Sequence, residues 1–287
     1  MDSYFQWVKG NFVTGFIYLR YWKIWMTVIL GGLMQFLHNA AHNYVYYLAS
    51  IYGVYGGPDN MLTDLGFEAF RDMPNLSFWP NFCLFLLAAL TIVFAISPFF
   101  TRKIIRSSSI HPLQILWRAI WVTTFTIILR CTSFFITILP SPAKHCSERN
   151  FAPRESTGPM FSYFNTGSGC SDLIFSSHVM YGLIAVVTVH FYTVQDLKTY
   201  HPPLYERLLK YAFVVLMWVI VLWEAIAIVR QKTHYSIDVF TALYAVPSTW
   251  IVFYHFVPND PIPPSLRKIA DKLEGSGIEA DSTQLAA

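Results

Sequence analysis

Apolar residues along this chain are concentrated in six segments, each close to the about 20 residues that a helix needs to cross a bilayer. The segments are Trp22–His38, Phe78–Phe99, Ile115–Leu139, Ile174–Val194, Tyr211–Val229 and Ile237–Phe256. The pattern predicts an all-α membrane protein, a six-transmembrane helical bundle formed as one domain by residues 22–260. For the first and third segments, an amphipathic or soluble core helix remains the alternative.

Two segments lie outside the predicted bundle. Residues 1–21 are expected to form a cytosolic N-terminal segment without a small-residue cleavage site, hence without a removable signal peptide. Residues 261–287 carry a Gly-Ser-Gly run and few apolar side chains, which predicts a disordered cytosolic tail.

Composition excludes a soluble protein. The chain is 54% hydrophobic and 13% charged, whereas soluble domains carry about 25% charged residues. The net charge is only +3 and no basic block is present, so nucleic acid is not an expected partner.

Basic residues are distributed unevenly between the two predicted membrane faces. One face carries thirteen, namely Lys9, Arg20, Lys23, Arg102, Lys103, Arg106, Arg118, Lys198, Arg207, Lys210, Arg267, Lys268 and Lys272. The other carries seven, namely Arg71, Arg130, Lys144, Arg149, Arg154, Arg230 and Lys232. The positive-inside rule therefore predicts that both termini are cytosolic and that loops 1–2, 3–4 and 5–6 face the lumen or the exterior.

Two polar motifs stand at the beginnings of apolar segments. His178 opens the fourth segment, and His234 with Asp238 opens the sixth. Since these two spans run in the same direction, both motifs are predicted to lie on the luminal face. Ionisable groups at the edge of a membrane span are costly unless they are paired or functional.

The spacing of the second motif suits a nucleophile. His234 and Asp238 are four residues apart, which on a helix brings their Cβ atoms to about 5–6 Å. The carboxylate can then hold one imidazole nitrogen and leave the other free to attack phosphorus. His178 can act as general acid and base.

Other polar residues are candidates for binding the phosphate. Ser176 and Ser177 can cap the fourth span, and Arg130, Arg230 and Lys232 can balance the phosphate charge. The alternatives to a catalytic role are structural. Each histidine could anchor its helix at the membrane interface, His234 could form an ion pair with Asp238, and Arg130 could pair with a nearby aspartate. Both motifs on one predicted face favour catalysis.

The motif Cys170-x-Asp172-x2-Phe175-Ser176-x-His178, followed by His234-Tyr235-x-Ile237-Asp238, resembles the sphingomyelin synthase family, a branch of the type 2 phosphatidic acid phosphatase superfamily. The stretch from Pro58-Asp59 to Phe67 is similar to the family's first luminal loop. The stretch from Arg130 to Pro142 is similar to the end of its third span. The resemblance covers about residues 55–260.

The resemblance implies a transferase that moves phosphocholine, or a related phospho-head-group, from a glycerophospholipid to ceramide with release of diacylglycerol. It implies His234 as the nucleophile, His178 as the acid and base, and Asp238 as the support of the nucleophile. Asp172, Tyr235 and Asp59 are implied as substrate-binding residues. The partners are membrane lipids, no metal or cofactor is expected, and the site would face the lumen of the Golgi or the exterior of the plasma membrane.

Departures from the family pattern leave the donor open among choline, ethanolamine and inositol phospholipids. Ser171 and Ser177 stand where glycine is usual, and the Phe-Ser-Ser-His form is similar to plant-type inositol phosphorylceramide synthases. The lipid phosphatase signature Lys-x6-Arg-Pro is absent from the sequence. A lipid phosphatase, a non-catalytic lipid-binding protein and a metal-dependent oxidase are the remaining rivals. Whether the chain is a monomer or a homo-oligomer also stays open.

Three further features have competing interpretations. His38 and His42 have a spacing seen in di-iron enzymes, but we expect a luminal interface pair near the site entrance. Cys146 and Cys170 share a luminal loop, where an oxidising compartment would permit a disulfide. Several aromatic residues would suit either a cage for choline or a membrane anchor, namely Trp79, Phe134, Phe135, Tyr163 and Phe164.

Overall fold

The computed structural model describes residues 2–54, 56–97, 111–147, 170–199, 201–257, 262–263, 265–266, 268–269 and 272, with the side chains of residues 2–9 and 11 excepted. The expectations for the polar tail, for Tyr163 and Phe164, and for the basic residues of the second loop fall outside these residues, apart from short pieces of the tail. The described chain contains eight α-helices. They are α1 (Asp2–Arg20), α2 (Trp22–Tyr52), α3 (Leu65–Ala69), α4 (Trp79–Ile96), α5 (Pro112–Ile136), α6 (Ser177–Thr199), α7 (Leu204–Arg230) and α8 (Ser236–Phe256).

Six of these helices, namely α2 and α4 to α8, are long and apolar enough to cross a membrane. The predicted six-span, all-helical architecture is therefore confirmed, and the described residues contain no named strand. Large apolar side chains on the outside of the bundle, such as Phe85, Val215 and Ile251, are more than half exposed in the isolated chain. Such a surface suits lipid tails and is too apolar for water.

The first span is much longer than predicted. The hydropathy pattern ended it at His38, whereas α2 continues to Tyr52 and stops at Gly53, which adopts the left-handed conformation (φ 65°) of a helix C-cap. The second half of α2 carries polar residues such as His38 and Asn43, which are buried in the bundle. Such polar residues lower the mean hydropathy of the segment, even though they face protein and not lipid.

The fourth span, α6, lies at the centre of the bundle. It packs against α4, α5, α7 and α8, while α2 packs chiefly on α5. About 61% of the membrane-spanning window of α6 is buried, compared with 22% for α2 and for α4. Its residues Val179, Met180 and Leu183 are completely enclosed. The helix that carries His178 is therefore the most enclosed of the described spans.

Candidate active site

The beginning of α8 positions a histidine–aspartate pair. Asp238, which is completely buried, accepts hydrogen bonds at Oδ2 from His234 Nδ1 (3.0 Å) and from the backbone N–H of Tyr235 (3.0 Å). The second of these bonds satisfies one of the free N–H groups at the helix start. With Nδ1 donating to the carboxylate, Nε2 of His234 is the nitrogen left to react.

The other oxygen of Asp238 holds the segment that leads into α6. Oδ1 accepts a hydrogen bond from the backbone N–H of Ile174 (2.8 Å). Ile174 has φ +74°, a left-handed conformation that β-branched residues rarely adopt. Backbone of this kind persists only where its surroundings fix it, and such positions cluster at functional sites. The carboxylate thus ties the two histidine motifs together.

His178 lies in the first turn of α6 and is oriented by α4. Its Nε2 donates a hydrogen bond to Oδ1 of Asn81 (3.0 Å). This bond fixes the ring and, in the neutral imidazole, leaves Nδ1 as the proton acceptor. Sequence reasoning missed Asn81, although a lone amide in the first turn of an apolar span is a signal that could have identified it.

Arg130 is locked into the protein interior. Its guanidinium contacts the carboxylate of Asp172 and the ring of His38, and its Nε donates to the carbonyl oxygen of Phe175 (2.7 Å). The side chain is 1% exposed. Of the two interpretations of Arg130, this geometry matches the structural pair, because its donors are engaged by protein groups and it does not line the cavity described below.

Asp172 is paired on both sides. Besides Arg130, it contacts Nε2 of His42 at 3.3 Å. Burial alone would raise the pKa of Asp172, but His42 and Arg130 together hold it well below its usual range. The carboxylate therefore stays ionised at neutral pH. The positive guanidinium beside His38 also opposes a metal cation at the His38–His42 pair, which disfavours the di-iron alternative.

These groups meet in a polar cavity of about 310 Å³. His178, His234, Asp172 and Ser177 all line it. The remaining lining residues are His42, Ser77, Pro80, Asn81, His145, Ile228, Gln231 and Thr233. Among the described residues the lining contains no Phe, Tyr or Trp, although it includes amide, hydroxyl and imidazole groups. The cavity thus offers hydrogen bonds rather than ring faces.

Three residues expected to bind substrate lie elsewhere. Arg230 donates from Nε to the carbonyl of Met73 (2.7 Å), and Lys232 contacts the sulfur of Met61 (3.9 Å) and the ring face of Phe67. Asp59 is exposed on the loop after α2. None of the three lines the cavity.

Tyr235 and Ser176 are buried next to the site instead of in it. The Tyr235 hydroxyl donates to the carbonyl of Pro140 (2.8 Å) and accepts from the N–H of Leu62 (3.0 Å), which makes it a brace between loops. The Ser176 hydroxyl is fully enclosed and has no hydrogen-bond partner among the described residues.

Cys146 and Cys170 form a disulfide. The disulfide lies beside the cavity. His145, next to Cys146, and Asp172, two residues after Cys170, both line the cavity. Both sulfurs are consumed by this bond, so their closeness to His145 does not make a metal site.

Fold and site together define a class: a multi-pass membrane protein in which two histidines at the starts of two helices line one polar cavity, and a buried aspartate holds one of them. Residues 169–256, which contain all three groups, match the family model described as PAP2 superfamily C-terminal. This stretch spans α6, α7 and α8.

The chain is also similar to curated plant enzymes over most of its length. The chain is 28% identical over 265 residues to a phosphatidylinositol:ceramide inositolphosphotransferase of Oryza sativa subsp. japonica, with 88% of this chain and 70% of the relative covered. It is 26% identical over 243 residues to phosphatidylinositol:ceramide inositolphosphotransferase 3 of Arabidopsis thaliana, with 80% and 73% covered. The chain therefore carries a PAP2 superfamily C-terminal domain and is homologous to plant inositol phosphorylceramide synthases, relatives of the sphingomyelin synthase type, which confirms the resemblance found in its motifs.

Proposed function

We propose that this protein transfers the phospho-head-group of a glycerophospholipid to ceramide, with phosphatidylinositol as the donor and diacylglycerol as the released product. The observation that carries the proposal is that His178 and His234 line one polar cavity, with His234 hydrogen-bonded to the buried Asp238. The names of the relatives support the same reaction class.

The first half of the reaction makes a phosphohistidine. Nε2 of His234 attacks the donor phosphorus, and the bond from phosphorus to the diacylglycerol oxygen breaks. His178, in its protonated form, gives its proton to that oxygen. Asp238 keeps its hydrogen bond to Nδ1 and offsets the positive charge that grows on the ring.

The second half returns the site to its starting state. The primary hydroxyl of ceramide attacks phosphorus, its proton passes to His178, and the bond from phosphorus to Nε2 breaks. The N-terminal end of α6, where Ser177 and His178 line the cavity, favours the phosphate charge in both halves.

The cavity lining favours an inositol head group over choline. A quaternary ammonium is recognised by aromatic ring faces, and the described lining has none. Trp79, one of the aromatic candidates, packs instead against Phe82 and Trp223. The amides of Asn81 and Gln231 suit the ring hydroxyls of inositol.

We extend the proposal to location. The uneven distribution of basic residues supports a site that faces the lumen or the exterior, in the Golgi or the plasma membrane.

The proposal is tested with the purified full-length protein in lipid nanodiscs. Labelled ceramide is supplied with phosphatidylinositol, phosphatidylcholine or phosphatidylethanolamine in separate reactions, and the product is identified by mass. We expect an inositol phosphorylceramide and equimolar diacylglycerol. A phosphocholine or phosphoethanolamine product would overturn the donor assignment. Phosphate released from phosphatidic acid without ceramide, or no turnover at all, would overturn the transferase.

A further inference from the structure

Glu224 is a carboxyl buried in the interior of α7 without a partner. Its exposure is 0%, and neither carboxyl oxygen makes a hydrogen bond within the part of the chain that the structure describes. An acidic side chain inside a membrane span is expensive and by default indicates a function. The reaction steps given above do not use it.

The neighbouring helix leaves space for this carboxyl. Gly182 of α6 faces it so closely that a Cβ at position 182 would come within 2.6 Å of Glu224 Oε2. The side chains of Leu87 in α4 and Val221 in α7 lie 3.2 Å and 3.1 Å from the same Cβ position. Glu224 thus sits where α4, α6 and α7 meet.

Glu224 lies about one helical turn away from residues that line the cavity. Gly182 is four residues beyond His178 on α6, and Glu224 is four residues before Ile228 on α7, while both His178 and Ile228 line the cavity. Four residues are about one helical turn, a rise of about 5.4 Å per turn. The carboxyl is therefore about one turn deeper in the membrane than the acid and base of the reaction.

That depth matches the chemistry of the acceptor lipid. In ceramide, the carbon next to the reacting primary hydroxyl carries an amide, and the following carbon carries a second hydroxyl. When the primary hydroxyl meets His178, these groups point toward the membrane interior. A carboxyl accepts hydrogen bonds from N–H and O–H groups, and in its protonated form also donates one. Diacylglycerol has only ester groups at those positions and no donor.

We propose that Glu224 is a specificity residue that hydrogen-bonds the amide and second hydroxyl of a sphingoid acceptor and so distinguishes it from diacylglycerol. The inference rests on the ceramide transfer proposed above. The cost of keeping an unpaired carboxyl in the empty protein is offset only when the acceptor is bound, which makes the interaction selective.

Two activities separate this role from general catalysis. Ceramide transfer uses both lipids, whereas exchange of labelled diacylglycerol into phosphatidylinositol uses His234 and His178 without ceramide. For Glu224→Leu we expect the KM for ceramide to rise about tenfold or more, with exchange within about twofold of wild type. Glu224→Gln keeps an acceptor and a donor, so it retains most of the ceramide transfer. Glu206→Gln, in the first turn of the same helix, is the matched control.

Stability gives an independent readout. Because Glu224→Leu removes an unpaired buried polar group, its Tm in detergent is expected to rise while its use of ceramide falls. If Glu224 had only a structural role, the substitution would lower both the Tm and the use of ceramide. An unchanged KM for ceramide, or equal losses of transfer and exchange, would overturn the proposal. Exchange without any ceramide product in wild type would instead refute the proposed function.

Labelling keeps the test independent of the leucine variant. A hydrophobic carbodiimide is expected to modify Glu224 in the wild-type protein, located by mass spectrometry, and ceramide is expected to protect it while diacylglycerol does not. Equal labelling with and without ceramide would overturn the inference.

Discussion

At the scale of single residues, Asp238 connects three parts of the molecule through one carboxylate. It holds the imidazole of His234, the first turn of α8 through the N–H of Tyr235, and the strained backbone of Ile174. His234, the helix start and the segment leading to His178 are therefore positioned together. A substitution at Asp238 changes geometry as well as charge.

Asp238→Asn is expected to lower kcat for ceramide transfer by a factor on the order of 10⁴, the magnitude seen when a histidine loses the carboxylate that sets its tautomer. The amide oxygen can still accept from Ile174, but the NH2 group then faces two donors, at His234 Nδ1 and Tyr235 N. His234→Ala is expected to abolish transfer. Both are measured by product mass on protein that elutes as a folded species from gel filtration.

The control for these variants is His201→Ala, which alters an exposed histidine between α6 and α7. It is expected to match wild type. Full activity in Asp238→Asn, or in His234→Ala, would refute the phosphohistidine mechanism.

At the scale of elements, the short helix α3 buttresses the start of α8. Asp64 caps α3 by accepting from the N–H of Gly66 (2.8 Å), and it also accepts from the hydroxyl (2.6 Å) and N–H (2.7 Å) of Ser236. Burial alone would raise the pKa of Asp64, but the hydrogen bonds from Ser236 and Gly66 lower it, so the carboxylate is charged at neutral pH. Gly66 is required here because a Cβ would lie 1.9 Å from the Ser236 hydroxyl.

Asp64→Asn is expected to lower kcat about tenfold and leave KM for both lipids nearly unchanged. Ser236 lies two residues after His234, so loosening it disturbs His234, while neither Asp64 nor Ser236 lines the polar cavity. Hydrogen bonds to charged groups contribute about 1.5–3 kcal/mol. Steady-state kinetics with phosphatidylinositol and ceramide give the two constants. Glu68→Gln, an exposed acid on the same short helix, is the control. An increase in KM at constant kcat would show that α3 contacts substrate and does not position His234.

At the scale of the whole molecule, the loops on the side of the active site are cross-linked. The Cys146–Cys170 disulfide joins the segment after α5 to the segment before α6. Gly56, after α2, donates from its N–H to the carbonyl of Cys146 (2.9 Å), and the N–H of Gly57 donates to the carbonyl of Ser141 (2.7 Å). The segment after α2 and the two ends of the α5–α6 connection are thus fastened together at one end of the bundle, next to the cavity.

Replacing both disulfide cysteines by alanine is expected to destabilise the protein by about 3 kcal/mol, the chain-entropy value for a loop of roughly this length. Transfer activity is expected to fall as well, because His145 and Asp172 adjoin the two cysteines. Thermal unfolding in detergent, with and without reductant, measures the effect. Reductant is expected to lower the Tm of wild type and to leave the double variant unchanged. A wild type insensitive to reductant under unfolding conditions would contradict this role.

The sequence predicted the spans and the three catalytic candidates for a simple reason. Hydropathy reports how many segments can cross a bilayer, and parallel spans must begin on the same face. His178 and His234, each at the start of a span, therefore had to lie on one side, and in the structure they line one cavity. Their catalytic roles, and the side of the membrane they face, stay predictions.

Other parts of the site depend on contacts that no local pattern encodes. Asp64 and Ser236 are 172 residues apart, and only the packing of α3 on α8 pairs them. Arg230 looked like a phosphate clamp because it precedes His234, yet the direction of its side chain is set by the loop at Met73. His42 was expected at the site entrance, but the unpredicted length of α2 carries it to Asp172.

The enclosure of α6 has a consequence for the membranes in which this protein can work. A bilayer that becomes thicker or thinner acts on helices that touch lipid, chiefly by changing their tilt, at a modest cost for each ångström of mismatch. α6 is the most enclosed of the described spans, so the outer helices α2 and α4 meet that change first. His178 is thereby shielded from changes in the surrounding lipid, and the polar cavity can keep its geometry in bilayers of different thickness.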